Sequence, residues 1–497
     1  MTQAHTDQDV NKETAAPSRP LVHFTRQEWL IMLAALALAV LFCHCFDFYR
    51  PRLIRFQPEG PGLGFSLFLG GGLAVCLGIL GKRACYSREN KLLLAAWTAL
   101  ALSFTLTADP LLRRLNMLVM VPLTLALILA LSGLLPASPW SADSFGPALR
   151  RFFPALFKYW PRPLAAVAGL CHRDNGAPWP ALLAGLALAL PLLVLALTLL
   201  SAADAVFRGL FQGLGDWLSR LELGRVAWVS LRSLFMGLVG FSLLYTLTQP
   251  PRPLRQGKGR GLALPLLSWT LALGLLDAVY LLFTVIQFAF LFGGTETAAM
   301  SGGYAQYARE GFFQLVLVSL INLGFLTLAQ RAHPGRKPVR LGGSLLLACT
   351  LIILISAAWR MRLYIQAYGL TMARLLTWWG MAMLLLALVL AALKLWRPQR
   401  QVSPLLLAVA VAAWIAFNYC GPDALIAGYN VDGYIQGRLE QVDEEYMLRQ
   451  LSPAARPSLE RLAAAHPEKS YDLFLYPVYK EKLTWTDWSL PWLIYVK

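Results

Sequence analysis

The sequence predicts an all-α protein, a polytopic bundle of about eleven transmembrane helices with interfacial amphipathic helices and a small α-helical C-terminal region. Three observations carry this. Of 497 residues, 57% are hydrophobic and 14% charged, against about 25% charged in an ordinary soluble domain. The apolar residues fall in repeated runs of about 20, the length at which a helix rising about 1.5 Å per residue crosses the hydrocarbon core. The Lys and Arg behind the net charge of +17 lie in short segments between those runs. They read as topology signals and headgroup contacts, and no basic folded module for nucleic acid is visible.

Residues 1–28 are polar, with Pro17 and Pro20, and read as a disordered tail rather than a signal peptide. The transmembrane bundle is assigned to 29–420. Spans are predicted near 29–46, 62–80, 92–107, 115–135, 179–200, 226–247, 265–288, 312–328, 341–359, 375–396 and 404–419. Lipid offers the backbone no hydrogen-bond partners, so helix is the default for each. The third and fourth form a tight hairpin around Asp109-Pro110. Alternate loops, counted from the N-terminal segment, carry about twice as many Lys and Arg as the others, which places the N-terminus in the cytoplasm. Eleven spans then put the C-terminal tail outside.

Two segments between spans read as lying on the membrane surface. In 145–171, Arg150, Arg151, Lys158 and Arg162 interleave with Phe152, Phe153, Phe157, Tyr159 and Trp160, a basic-aromatic pattern suited to headgroups. In 205–221, apolar residues such as Phe207, Leu214 and Leu218 share one helical face opposite Arg208, Gln212 and Asp216. Residues 421–497 form the one sizeable extramembrane region. There Ser452-Pro453 starts a helix to about Ala465, and Asp443-Glu444-Glu445 starts another by the helix dipole. The stretch 490–496 returns to the membrane surface.

The most informative span is the seventh. Asp277 lies near its centre, and Thr270, Gly274, Tyr280, Thr284 and Gln287 recur with it on one helical face. A carboxylate in hydrocarbon costs about 2.5–3.5 kcal/mol on insertion scales, so this face looks into the bundle, a hydrated cavity or a polar partner. Arg232 in the sixth span is the candidate partner. Two readings stay open: polar glue between helices, and an ion or substrate path. In the second span Gly62, Ser66, Gly70, Ala74 and Gly78 form a small-residue stripe for close helix packing. Asp204, Arg208, Arg309, Glu310, Arg360, Arg362 and Arg374 gather at predicted outer helix ends.

No cofactor or metal site is indicated. The seven cysteines form no C-x-x-C pair, and Cys43-His44-Cys45 has no second half. Gly257-Lys258-Gly259-Arg260-Gly261 lacks the phosphate-loop spacing and a preceding strand. No hydrolase, zinc-protease or kinase signature is present.

Four strings carry a family resemblance, the more specific being 304–313 and Tyr368-Gly369-Leu370-Thr371. They are 201–207 with Asp204, 304–313 with Arg309 and Glu310, 360–374 with Arg360, Tyr364, the Tyr368-Gly369-Leu370-Thr371 run and Arg374, and 426–430 ending in Asn430. In this order they resemble the bacterial multi-pass membrane proteins grouped as domain of unknown function 4153, with sibling family 4173. The resemblance runs from about residue 180 to the end and implies a bacterial inner-membrane protein. It implies no activity. The strings sit at predicted outer helix ends, so the expectation is one extracytoplasmic rim containing Asp204, Arg309, Glu310, Arg360, Tyr364, Arg374 and Asn430.

The leading functional expectation is a non-enzymatic envelope sensor, scaffold or accessory protein, because no catalytic constellation is present. Its partners are the lipid bilayer and a membrane or envelope protein. A transporter or channel using the Asp277 face is the alternative. A membrane-embedded enzyme acting on lipid-linked substrates at the outer rim is the third reading.

Overall fold

In a computed structural model, residues 24–46, 62–135, 138–140, 150, 153–171, 189, 193, 223–249, 264–292, 312–465, 485 and 487–495 are described. The predicted span 179–200 apart from residues 189 and 193, the surface helix 205–221 and residues Asp204, Arg309 and Glu310 lie outside them. Every regular element among the described residues is helical: α1 Arg26–Cys45, α2 Leu63–Leu80, α3 Arg88–Leu106, α4 Pro110–Leu131, α5 Pro161–Cys171, α6 Leu223–Thr248, α7 Leu266–Phe292, α8 Phe312–Ala332, α9 Lys337–Tyr368, α10 Met372–Trp396, α11 Ser403–Tyr419, α12 Pro422–Ile435, α13 Glu444–Arg449, α14 Arg456–Ala465 and α15 Leu490–Tyr495. Short 3₁₀ turns follow α2 and precede α14.

Among the described residues eight helices are long and apolar enough to cross a membrane: α1, α2, α4, α6, α7, α8, α9 and α10. The number becomes nine if α11 and α12, which meet at 59°, form one broken span. The protein is therefore a helical multi-pass membrane protein. The helix predicted near 92–107 is present as α3, but it falls outside this set; its first turn carries Arg88, Glu89 and Lys91.

The chain forms two units. The first joins residues 1–43 to 154–249. Here α1 starts at Arg26, inside the segment assigned to the polar tail, because Thr25 and Glu28 cap reciprocally: Glu28 accepts from the Thr25 N–H, and Thr25 Oγ1 accepts from the Glu28 N–H. The buried Glu28 also pairs with Arg162 at 2.6 Å, tying α1 to α5. Ser242 Oγ on α6 donates to Ala155 O and accepts from the Tyr159 N–H. Part of the basic-aromatic segment is thus fastened to a helix rather than left to lipid alone.

The second unit joins residues 44–153 to 250–497. An apolar core lies between α7, α8, α9 and α10 and contains Leu273, Leu326, Leu346, Ile353 and Leu388. Close approach is set by small residues on α9. A Cβ on Gly343 would stand 2.6 Å from a Leu326 methyl, and one on Gly342 would stand 3.3 Å from Leu273 Cβ and Asp277 Oδ2. A polar bridge joins α4 to α11: Asn116 Nδ2 donates to Asn418 Oδ1 at 2.7 Å, and Trp414 Nε1 donates to Asn116 Oδ1 at 2.8 Å. Ser103 on α3 accepts from the same Asn116 amide. All three helices are held in one register by that buried group.

The tail folds into its own small core. Ile426, Ala427, Val431, Met447, Ala455, Leu459 and Leu462 are fully buried. The stretch predicted to return to the membrane surface, α15, packs against the 3₁₀ turn before α14 and against α3. The Leu63 N–H at the head of α2 donates to Trp488 O. A Cβ on Gly62 would lie 2.1 Å from that oxygen, so glycine there serves the tail's close approach, whereas Gly70 and Gly78 of the expected packing stripe have no atom within 4 Å among the described residues.

Candidate functional site

The site with the most unusual electrostatics lies where the tail meets the α3–α4 turn and the α9–α10 turn. The sequence sets up each part locally. Asp109 precedes Pro110, and its side chain accepts from the Leu112 N–H, an N-cap with proline at the first helical position. Gly421, at φ +67, turns the chain so that Pro422 and Asp423 open α12. Gly369, at φ +74, ends α9, and Thr371 caps α10 by accepting from the Arg374 N–H.

These turns bring Asp109 and Asp423 together. Both are buried, at 4% and 2% exposure, and their carboxyls are in hydrogen-bond contact. Two buried carboxyls in contact disfavour the doubly ionised state. Burial holds the Asp109 carboxyl above the usual carboxylate range; hydrogen bonds from Asp423 and the Leu112 and Leu111 amides, and the Arg113 charge, oppose the rise. Asp423 Oδ2 accepts from the Ser452 N–H at 3.1 Å, the residue that begins the turn into α14.

Arg113 sits beside the pair with its side chain fully buried. Its Nη2 donates to Phe104 O at 3.0 Å and Thr107 O at 2.7 Å, closing the last turn of α3. Asp487 and Asp109 are the acids that face its charge. Tyr446 on α13 links this cluster to the next. Its hydroxyl accepts from the Met372 N–H at 2.8 Å, and burial pushes the phenol up to about 12, with Asp423 and Asp109 adding to the rise and the Met372 bond and Arg374 opposing it.

The second part of the site is an amide clamp. Asn430 Nδ2 donates to Leu370 O at 2.8 Å, and Asn430 Oδ1 accepts from the Leu370 N–H at 2.6 Å. Arg374 Nη1 donates to Tyr368 O at 2.8 Å and also to Gly369 O. Its guanidinium lies 4.2 Å from the Tyr364 ring centroid. Tyr364, Arg374 and Asn430, three of the expected rim residues, therefore meet around the α9–α10 turn. Arg360 lies one turn before Tyr364 on α9.

The other sequence candidates lie elsewhere. Asp277 is buried at 5% exposure, with Thr284 one face-repeat along α7 and Tyr280 half-buried between them. Asp277 Oδ2 faces Gly342 of α9, and its Oδ1 has no hydrogen-bond donor among the described residues. Thr284 is in contact with Cys349 of α9. Gln287 belongs to α7, and its side chain lies outside the described residues. Arg232 belongs to the first unit, where its Nη2 donates to Cys43 O at 2.6 Å and its Nε reaches Cys43 Sγ at 3.3 Å.

The sequence reading passed over Asp109, Asp423 and Arg113. Each carries a local signal with an ordinary meaning: Asp-Pro as a hairpin, Gly-Pro-Asp as a helix start, an arginine near a helix end as a topology charge. The signal that could have found them is that two acids stand at opposite ends of the bundle sequence, each at a turn on the same predicted side.

Comparison with curated proteins and with solved structures finds no match in either. The sequence model of one family matches residues 94–462, most of the second unit together with part of the first. The Tyr364, Arg374, Asn430, Asp109 and Asp423 cluster lies wholly inside that match, and the chain belongs to the family described as domain of unknown function (DUF4153).

Proposed function

We propose that this is a non-enzymatic sensor or accessory protein of the bacterial inner membrane, with its N-terminus cytoplasmic and its helical tail on the outer face. The tail is docked on the bundle by a proton-dependent lock. The observation that carries this reading is the buried Asp109–Asp423 contact, because Asp423 also holds the Ser452 N–H and so connects one proton to the seat of α14. Arg113 on α4 and Tyr446 on α13 are the charged and titratable groups facing the pair; Asp487 before α15 faces Arg113, and Arg374 on α10 faces Tyr446. The acidic groups at 443–445 belong to the start of α13, where Asp443 caps its own helix.

The sign follows from Asp109. Its folded-state value stands above the ordinary 3.8. The folded state then binds the proton more tightly than the unfolded one, so the lock is strongest in acid and weakens as pH rises through the folded-state value. Hydrogen exchange over residues 443–462 measures it. Protection should fall as pH is raised above the ordinary carboxylate range, after correction for intrinsic exchange. In Asp423→Asn, which keeps a donor to Asp109 at every pH, protection should be flat. Equal pH dependence in both proteins would reject the lock.

A second reading, transport along the Asp277 face, draws on the buried Asp277 Oδ1, which has no hydrogen-bond donor among the described residues. The sensor reading expects a cysteine at 277, in a cysteine-free background, to resist thiol labelling from both sides while loop controls label. Labelling from either side would favour transport.

A further inference from the structure

At the end of the second unit where α8 turns into α9, the helix ends enclose a cleft of about 150 Å³. Arg331 closes α8, Arg336 caps α9, Arg340 lies one turn in, and Lys394 reaches the same space from the last turn of α10. Among the described residues no carboxylate lines the cleft. Sequence explains why: residues 311–422 contain ten Lys and Arg and no Asp or Glu. On α7, which packs against α9, the one acid is Asp277, which faces Gly342 rather than the cleft.

Two further observations point to an absent anion. Arg340 Nε and Gln330 Nε2 are buried and have no acceptor among the described residues. Burying such donors without a partner costs about 1–3 kcal/mol each, more for a charged group. The Arg340 guanidinium is meanwhile fixed over the Trp396 ring at 4.9 Å, so its orientation is set in advance. In addition, α9 starts here without a side-chain cap. Pro338 occupies a position where no N–H is needed, and the Lys337 and Val339 amides have no helical acceptor. A 32-residue helix thus points its positive end into a ring of four cations.

We propose that this cleft binds a phosphate group, supplied by the headgroup of an anionic phospholipid at the membrane interface. The chemistry fits: planar guanidinium forks and an ammonium suit phosphate oxygens, and basic pockets between helix ends accommodate anionic headgroups. The cleft lies at the start of α9, while the Asn430 clamp lies at its far end. At about 1.5 Å per residue, the two are nearly a membrane apart, so the proposal is independent of the proton lock.

The test uses the full chain purified in detergent and native mass spectrometry with phosphatidylglycerol, phosphatidylcholine and inorganic phosphate as separate probes. The wild type should retain phosphatidylglycerol at least about tenfold more tightly than phosphatidylcholine, a difference of about 1.4 kcal/mol. Arg336→Gln with Arg340→Gln should abolish that preference. Should that double variant fail to fold, Lys394→Gln alone should reduce the preference, and Lys394→Arg should preserve it. Arg400→Gln, a charge outside the cleft, should leave it intact. Equal retention of the two lipids by the wild type, or equal loss in Arg400→Gln, overturns the proposal. Saturable inorganic phosphate binding that the cleft variants lose, with no lipid preference, upholds the phosphate site and rejects the lipid as its source.

Discussion

Replacing Arg113 with methionine is expected to destabilise the second unit by about 3–5 kcal/mol, the cost of removing one partner from a buried charge cluster. Methionine nearly fills the volume, so the loss comes from charge and hydrogen bonds. Phe104 O and Thr107 O would lose the donor that closes α3. Asp109 would lose the cation that offsets its burial while still facing Asp423. Arg113→Lys keeps the charge but cannot fork to both carbonyls, and should fall between the two. Thermal unfolding of the detergent-solubilised protein measures the order. A midpoint for Arg113→Met within a degree of wild type would show that the guanidinium is dispensable, and the description of the cluster would be wrong.

Gly369→Ala should be the next most damaging change. The residue sits at φ +74, and an alanine Cβ would stand 2.6 Å from Asn430 Oδ1. Left-handed backbone at a non-glycine residue costs about 1–3 kcal/mol, and displacing the Asn430 amide forfeits both bonds to Leu370. Asn430→Ala removes the same two bonds without touching the backbone. If Gly369→Ala acts through the clamp, the double variant should cost clearly less than the sum of the singles. Full additivity would mean that strain alone is responsible. Asn430→Asp keeps the acceptor for the Leu370 N–H but sets a carboxylate oxygen against Leu370 O, and should be worse than a neutral loss of one bond.

Eight of the spans were legible because lipid imposes one strong rule: long apolar runs must be helices. The burial of Asp277 and Thr284 on α7 was legible for the same reason, since Asp277 could not face hydrocarbon, but Gly274 of the expected face is exposed and Trp269 and Leu273 are buried instead. What failed to show was pairing. Arg232 finds a backbone carbonyl, Cys43 O, and backbone acceptors leave no trace in side-chain patterns. Asp109 and Asp423 each satisfied a local rule at a turn, so neither demanded a distant partner. The clamp was half visible. Tyr368-Gly369-Leu370-Thr371, Arg374 and Asn430 stood out as strings, but only the fold shows that one amide reads both polar groups of Leu370 across 60 positions of sequence. Glu28 was hidden in a different way. Its reciprocal cap with Thr25 is a local motif, obscured by the polar tail around it.

The Asn116–Asn418 bridge has a consequence for biosynthesis. Its two halves are separated by 302 positions. At about 5–20 residues per second of synthesis, α4 must wait on the order of tens of seconds in the membrane for α11 to emerge. During that time Asn116 has Ser103 of the neighbouring helix as acceptor. The α3–α4 hairpin is therefore equipped to stand alone first, and the chain closes around it last, when its final fifth arrives.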